Sequence, residues 1–367
     1  MKVLFVIPIL STGGIERMVL AWAEELQNRS IDCEILAFAE GVSKEFDERG
    51  LPTYVVRGIS LSLYASDKAL REFFRLHNDY DAVHSNVSFY NGLVAHCVKE
   101  CVGGQCVTVS HAHLNGTNRY SSVFSKIVNE AVKAHLKKQI KKHSDINLAC
   151  SYSSGNFLFG EGNFTFFPNA VDASRFSFQE KDRKEYRNKY EMDDKFCILH
   201  AGRFSKEKNH MFLIEVFERV STIRPDAELY LLGDGELLGD VKGAVDGTDI
   251  QDKVHFMGFR SDTEKFFCAA DIFVLPSLIE GFPVSIVEAQ ATGLRVVAST
   301  ASPAETAITN LVTFMSFNDS LDAWAKALIG GEHCGLNRGG YNEKVIEAGF
   351  DIKYVAEQLE RIYSGRR

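Results

Sequence analysis

The chain has 367 residues, 45% hydrophobic and 25% charged, with seven prolines and a formal net charge of −8. That length predicts two domains, each able to bury a core, and no apolar run reaches the roughly 18 to 20 residues of a membrane-spanning helix. Residues 1–165 hold 17 basic and 17 acidic side chains, so the whole charge imbalance lies behind them, which argues against nucleic acid as a general partner.

The first residues, MKVLFVIPIL, run directly into the glycine pair of STGGIE without a small-residue cleavage site. They read as a buried strand and not a signal peptide. A helix over 15–28 follows, then CEILAF, PTYVV, DAVHSN, CVTVSHA and INLAC, apolar throughout and mostly separated by helical spacings. Such strands are those of a parallel sheet covered on both faces. Before the last of them, KAHLKKQIKKHSD sets Lys133, Lys137, Lys138, Lys141 and Lys142 on a helix, most on one side, with Ile127, Ala131 and Ala134 towards another. Two readings stay open for it: a solvated face, or a patch for an anionic membrane surface or an acceptor phosphate.

At FTFFPNAVD, residues 164–172, the pattern halts on a Pro-Asn turn and restarts with FCILHAG, AELYLLG, KVHFMGF, DIFVLPS and RVVAST. Residues 320–363 read as helical, with DIKYVAEQLERIY a last amphipathic helix. The fold class is α/β: two tandem Rossmann-like, doubly wound domains. The expected boundaries are 1–168, 169–350 and a C-terminal helix, 351–367, packing back toward the first domain. Eight scattered cysteines, with only Cys97, Cys101 and Cys106 grouped, read as reduced core thiols of a cytosolic protein.

In an open parallel sheet, ligands collect outside the carboxyl ends of the strands. STGGIE, SHAHLNG, AGRFSKEK, GDGE and PSLIEG all lie at such ends, and two such crevices facing each other would form a cleft. Gly13 and Gly14 suit a tight turn before a helix N-terminus, equally as a plain turn or a ligand contact. GDGELLG is one residue too long for a dinucleotide fingerprint; Gly233 and Gly235 are read as a close turn beneath a nucleotide. Arg203 and Lys208, with Lys206 between them, offer a planar fork and a mobile point charge. Together they suit a diphosphate whose charge grows as it leaves, with solvated surface charge as the alternative. His84, His111 and His113 follow two strands without a carboxylate or cysteine at ligand spacing, so a hydrogen bond to a substrate hydroxyl is their better use. DYD at 79–81 precedes its strand and reads as a turn.

In LIEGFPVSIVEAQATG the helix should start around Pro283, leaving Glu280 in the loop and Glu288 about a turn and a half inside an apolar helix. A carboxylate there needs partners: either a polar stripe or the paired hydroxyls of a ribose.

These features together resemble the family 4 glycosyltransferases, retaining enzymes of the two-Rossmann GT-B fold, and within them the branch that builds bacterial capsular and exopolysaccharide chains. The resemblance spans nearly the whole chain: GG in the first loop, the histidine after the fifth strand, PNAVD, GR with a following lysine, GDG, V-F-G at 254–258 and the E-x7-E pair. It implies that Gly14, beside Gly13, backs the donor diphosphate, that Arg203 and Lys208 hold its oxygens, and that Glu288 binds the ribose. Glu280 would touch the donor sugar's hydroxyls, and Gly281, Phe282 and Pro283 would lie near sugar and diphosphate. Gly233, Gly235, Gly258 and Phe259 complete the expected donor site. His113 corresponds to the sugar-contacting histidine, with His111 close enough to replace it.

The chain departs from the family's usual A-x-G-x-P-V-V at ATGLRVVAS, 291–299, and at ASPAE, 301–305, in place of a glycine-rich segment, although Glu305 fits a family acidic position. The implied chemistry is retaining transfer from a nucleotide-sugar, UDP-linked, with no cofactor and no divalent metal, catalysed through Arg203, Lys208, Glu280 and His113. The leaving diphosphate is stabilised electrostatically while the acceptor hydroxyl attacks from the same face. The acceptor would be a polyprenyl-diphosphate-linked or other saccharide, met in the cytoplasm at the inner face of the plasma membrane. A nucleotide-sugar 2-epimerase of the same fold would need acidic groups over the sugar ring. A silent nucleotide-sugar-binding module is opposed by Arg203, Lys208, Glu280 and Glu288 occurring together.

Overall fold

The computed structural model describes residues 1–365 apart from 12, 42–44, 57–61, 114–122 and 331–337. The chain divides into two compact units, Met1–Ala170 with Ile352–Arg367, and Val171–Asp351.

The first unit is built on seven parallel strands: β1 (Lys2–Ile7), β2 (Asp32–Ala37), β3 (Thr53–Val55), β4 (Ala82–Ser85), β5 (Val107–Ala112), β6 (Ile146–Ala149) and β7 (Thr165–Phe166). Their order is β3-β2-β1-β4-β5-β6-β7. Successive side chains of a strand point to opposite faces, and in β1 both faces are covered. Val3, Phe5 and Ile7 pack with Val19, Trp22 and Leu26 of the helix Gly14–Gln27. Leu4 and Val6 pack on the other side with Leu70 and Phe74 of Leu63–Leu76 and Val94 and Val98 of Asn91–Cys101. This is why the strand is apolar without alternation. The helix Ile352–Tyr363 joins the first of these cores through Val355, Ala356, Leu359 and Tyr363, a stripe at helical spacing. Arg29 Nη1 meets Glu360 at 3.3 Å and Arg29 Nη2 donates to the Lys353 carbonyl at 3.2 Å. Removing the Leu359 side chain would cost about 2–5 kcal/mol. The DYD carboxylates lie at the amino end of the sheet, where Asp81 accepts the Lys2 N–H at 2.7 Å and Asp79 pairs with Lys2 Nζ at 2.9 Å.

The second unit carries β8 (Phe196–Ala201), β9 (Ala227–Leu232), β10 (Val254–Gly258), β11 (Ile272–Leu275), β12 (Arg295–Ser299) and β13 (Val312–Met315), parallel and ordered β10-β9-β8-β11-β12-β13. The order reverses between β8 and β11, as it does between β1 and β4, and a doubly wound sheet opens its ligand crevice at such a switch point. Two buried arginines secure the frame. Arg187 pairs with Asp271 at 3.2 Å and donates to the carbonyls of Met192, Asp193, Lys195 and Ala269. Arg338 donates to those of Phe267, Cys268, Ala270 and Thr292, satisfying carbonyls left open at the ends of the helices Thr263–Ala269 and Val284–Ala291.

Three details differ from the sequence reading. The stretch 320–363 is not one helical run but Leu321–Ile329, Tyr341–Glu347 and Ile352–Tyr363. Pro283 is the residue before the helix Val284–Ala291, with ψ 102°, not its first member. On the helix Val123–His143, Ala131 and Ala134 are exposed, and the buried side is Leu136 and Ile140. The proline of the family's A-x-G-x-P-V-V falls on Arg295, the first residue of β12, and Leu294 before it closes the preceding helix. Gly293 takes φ +66° and donates to Gln290 O at 2.9 Å, and the Leu294 N–H donates to Ala289 O at 2.8 Å. This pair of bonds is a Schellman closure of the helix, and proline lacks the N–H for its second bond. Seven cysteines are described, all as free thiols. Among the described residues no helix is long and apolar enough to cross a membrane.

Candidate active site

In the second unit the loops after β8, β9 and β10 are tied together by their backbones. Gly202 N–H donates to Leu232 O at 2.9 Å, Phe204 N–H to Asp234 O at 2.9 Å, Leu237 N–H to Phe204 O at 2.9 Å and Gly233 N–H to Gly258 O at 2.8 Å. A Cβ on Gly233, φ +135°, would fall 2.0 Å from Gly202 O, and one on Gly235, φ +158°, 2.5 Å from Phe204 O. Their lack of a side chain is therefore demanded by the loop carrying Arg203, which they underlie. Gly258 ends β10 at φ +67°, and Phe259 beyond it is 59% exposed.

After Phe204 the chain makes a tight 3-10 turn, Lys206–Lys208, before the helix His210–Ile223. Lys208 thus stands on the turn, at the carboxyl end of β8. The loop after β11 is anchored to it, because Leu278 N–H donates to Glu207 O at 2.7 Å. This brings Lys208 Nζ to 2.6 Å from Glu280 Oε1, with the glutamate side chain 10% exposed. A short, charge-assisted contact with one partner well buried is far more constrained than a surface ion pair. Arg203 is held differently: its guanidinium meets Glu236 Oε2 at 3.1 Å, and both side chains are more than half exposed. The structure therefore brings Lys208 and Glu280 together and leaves Arg203 in a weak surface pair. Phe282 is buried and stacks on Phe350 at 5.9 Å. Gly281 and Pro283 flank it, and Glu288 is half-buried in the second turn of Val284–Ala291.

Two residues beside these were missed in the sequence, although HAGR and KNH display them. His200, fully buried on β8, donates from Nδ1 to Val274 O at 2.9 Å; a carbonyl can only accept, so Nε2 carries a lone pair, and it has no partner among the described residues. A Cβ on Gly202 would sit 3.1 Å from that nitrogen and 3.3 Å from Lys208 Cδ, so the imidazole and the lysine stem flank Gly202. His210 stacks on Phe204 at 4.0 Å. Burial pulls His200 down to about 4 and His210 to about 2, the Lys208 charge adding to both effects. Both rings are neutral near pH 7.

In the first unit Gly13 precedes the helix Gly14–Gln27, and a Cβ on it would fall 2.4 Å from Glu16 Oε2, while one on Gly14 would meet nothing within 4 Å. Glu16, also missed, is buried in the first helical turn, and burial raises its carboxyl against the hydrogen bonds from its own N–H and Ser11. His84 and His111 stack on Trp22 at 5.4 and 5.5 Å. His84 Nδ1 lies 2.6 Å from the Tyr363 hydroxyl and its Nε2 lies 3.1 Å from His111 Nδ1. His113 lies beyond this pair, its Nε2 2.8 Å from Asn86 Oδ1. Burial lowers all three, His113 to about 3. Among the described residues no group of three or more His, Cys, Asp or Glu is placed to hold a metal ion.

The lysines of Val123–His143 divide into two sets. Lys133 pairs with Glu130 at 3.1 Å and lies 5.4 Å over the Phe89 ring. Lys137 donates to Phe157 O at 2.6 Å. Lys138, Lys141 and Lys142 are exposed, as is Lys137 beside its hydrogen bond.

The family model Glycosyltransferase Family 4 matches residues 12–175, and Glycosyl transferases group 1 matches residues 182–349. The chain is 24% identical over 375 residues to EpsF of Bacillus subtilis, named as a glycosyltransferase, covering 99% of this chain and 96% of that one. It is 27% identical over 305 residues to the UDP-Gal:alpha-D-GlcNAc-diphosphoundecaprenol alpha-1,3-galactosyltransferase of Escherichia coli, covering 80% and 77% of the two chains. The crystal structure of Anabaena HepE in complex with UDP matches at TM-score 0.80 and 20% identity, over 100% of both chains. Two parallel doubly wound sheets, with one family model over each half, define the class: a glycosyltransferase of the GT-B fold. This chain is such an enzyme, moving a sugar from a nucleotide-sugar donor.

Proposed function

We propose that the enzyme transfers a sugar with retention, from a UDP-linked donor and without a divalent ion, to a lipid-diphosphate-linked or growing saccharide of a bacterial surface polysaccharide. The observation that carries this reading is the meeting of Lys208 and Glu280 at 2.6 Å at the switch point of the second sheet. One cation and one carboxylate there match the two halves of a sugar diphosphate.

In this reading Lys208 and Arg203 take the diphosphate oxygens, Glu280 the sugar hydroxyls and Glu288 the ribose. Gly233 and Gly235 support the Arg203 loop from beneath, and Gly258, Phe259, Gly281, Phe282 and Pro283 frame the donor. Gly13 and Gly14 are assigned to the diphosphate and His113 to a sugar hydroxyl. His113, 6% exposed, is preferred to His111, which is fully buried and stacked on Trp22. During transfer the bond from the anomeric carbon to the diphosphate oxygen breaks, and the acceptor oxygen bonds that carbon from the same face. The acceptor's proton passes to the departing diphosphate, whose charge Lys208 and Arg203 offset. The UDP-Gal and diphosphoundecaprenol in the name of the Escherichia coli relative support the donor and acceptor classes.

Incubation of the enzyme with labelled UDP-sugars and polyprenyl-diphosphate saccharides, in excess EDTA, tests all parts of the proposal. An α-linked product formed from an α-linked donor is expected. An inverted linkage, a free epimerised nucleotide-sugar, or turnover restored only by added metal overturns the corresponding part.

A further inference from the structure

The amide of Asn86 decides which ring nitrogen of His113 carries the proton. Asn86 is 2% exposed, on the segment after β4, and its backbone N–H is fixed to Val6 O at 2.8 Å. Its Nδ2 donates to the His84 carbonyl at 3.3 Å. Turning the amide over would set Oδ1 against that carbonyl, two acceptors facing each other, so the orientation is determined. Oδ1 is then the atom 2.8 Å from His113 Nε2. An amide oxygen only accepts, so His113 Nε2 carries the hydrogen and Nδ1 a bare lone pair.

Other contacts preserve this arrangement. His113 packs at 4.2 Å on the His111 ring, and its carbonyl accepts from Cys150 Sγ at 3.7 Å. The residue is 6% exposed, and Nδ1 has no hydrogen-bond partner among the described residues. A buried nitrogen left unpaired is costly, and this one sits at the carboxyl end of β5, where a parallel sheet presents its ligand-binding groups.

We propose that Asn86 is a positioning residue: oriented by the His84 carbonyl, it holds His113 as the Nε2–H tautomer, so that Nδ1 accepts a hydrogen bond from a hydroxyl of the donor sugar. This rests on the assignment of His113 to the donor sugar and adds to it a direction. The sugar must offer an O–H at that point; a ring ether or carbonyl oxygen there would face the lone pair. A hydrogen-bond acceptor on the far nitrogen fixes a functional imidazole's tautomer and orientation.

The test uses the full chain with 15N-labelled histidine, comparing wild type, Asn86→Ala and Asn86→Asp, all verified as folded by thermal unfolding. The wild-type His113 resonances should report the Nε2–H tautomer. N86A should mix the tautomers and lower kcat/KM for the UDP-sugar on the order of tenfold to a hundredfold, while affinity for UDP alone stays unchanged. In N86D one carboxylate oxygen still accepts from Nε2 while the other faces the His84 carbonyl, so the Nε2–H tautomer should persist with turnover between those of N86A and wild type, and mixed tautomers in N86D overturn the role. An unchanged tautomer in N86A overturns the role of Asn86. A mixed tautomer with wild-type turnover overturns instead the contact between His113 and the sugar.

Discussion

Lys208 Nζ lies 2.6 Å from Glu280 Oε1, and this ion pair joins the turn after β8 to the loop after β11. Its two members are assigned to different parts of one substrate, so each variant should disturb the other residue. A phosphate oxygen must draw Lys208 from the carboxylate or share it. Glu280→Ala should therefore leave UDP binding equal or tighter, while turnover of the intact donor falls by about 2–4 kcal/mol of transition-state stabilisation. Lys208→Ala should weaken both and also cost about 1–3 kcal/mol of stability, because the buried Glu280 loses its partner. Calorimetry with UDP on both single variants and the double variant measures the coupling. Tenfold weaker UDP binding by E280A would refute the assignment.

The buried imidazoles make stability depend on pH. His113, His200 and His210 are pulled by burial to about 3, 4 and 2, whereas an unfolded histidine titrates near 6.5. The unfolded chain thus binds more protons below that value, and stability is full above it and lost as pH falls. At about pH 5 each of the three withdraws roughly 2 kcal/mol. Asp262, held near 2 by its Arg260 partner, titrates far below this window. Urea unfolding between about pH 7.5 and 5 should show falling midpoints, and the slope should be shallower in His210→Phe. Constant midpoints across that range would show that these rings are not buried neutral.

Leu294 supplies a second stability prediction. Leu294→Pro removes the N–H that donates to Ala289 O, and a proline also disfavours helical conformations in the residue before it. The expected cost is about 1–3 kcal/mol, a fall in Tm of roughly 2–4 °C per kcal/mol for a unit of this size. An equal or higher Tm would mean that the helix end accepts the proline with its own rearrangement.

The fold was legible because every central strand is buried on both faces and so reads as an unbroken apolar run, as in KVLFVI and IFVL. β13 was missed: its sequence VTFM is only partly buried at the sheet edge, and its signal is correspondingly weak. The Lys208 and Glu280 segments were recognisable because residue type and strand-end position coincide there. Their direct contact was not, since the Leu278–Glu207 hydrogen bond that creates it joins residues more than seventy positions apart. For the same reason sequence could place His113 but not its tautomer, which depends on a carbonyl and an amide from another strand end.

The helix Val123–His143 offers a patch smaller than its composition suggests. Lys137 is tied to the Phe157 carbonyl and Lys133 to Glu130, so moving either onto a membrane would break an existing contact. Lys138, Lys141 and Lys142 are exposed, and each could contribute about 1 kcal/mol near an anionic surface. Leu136 and Ile140 are already buried in the unit, which leaves electrostatic adsorption and not insertion as the mode of attachment. Three charges give weak, reversible binding that salt should abolish, because the screening length is about 8 Å at physiological ionic strength. Co-sedimentation with vesicles should rise with the fraction of anionic lipid and fall with added salt. It should drop sharply when Lys138, Lys141 and Lys142 are all changed to glutamine, and much less when Lys133 and Lys137 are. Binding that ignores lipid charge, or that survives the triple substitution, would identify this helix face as solvated surface.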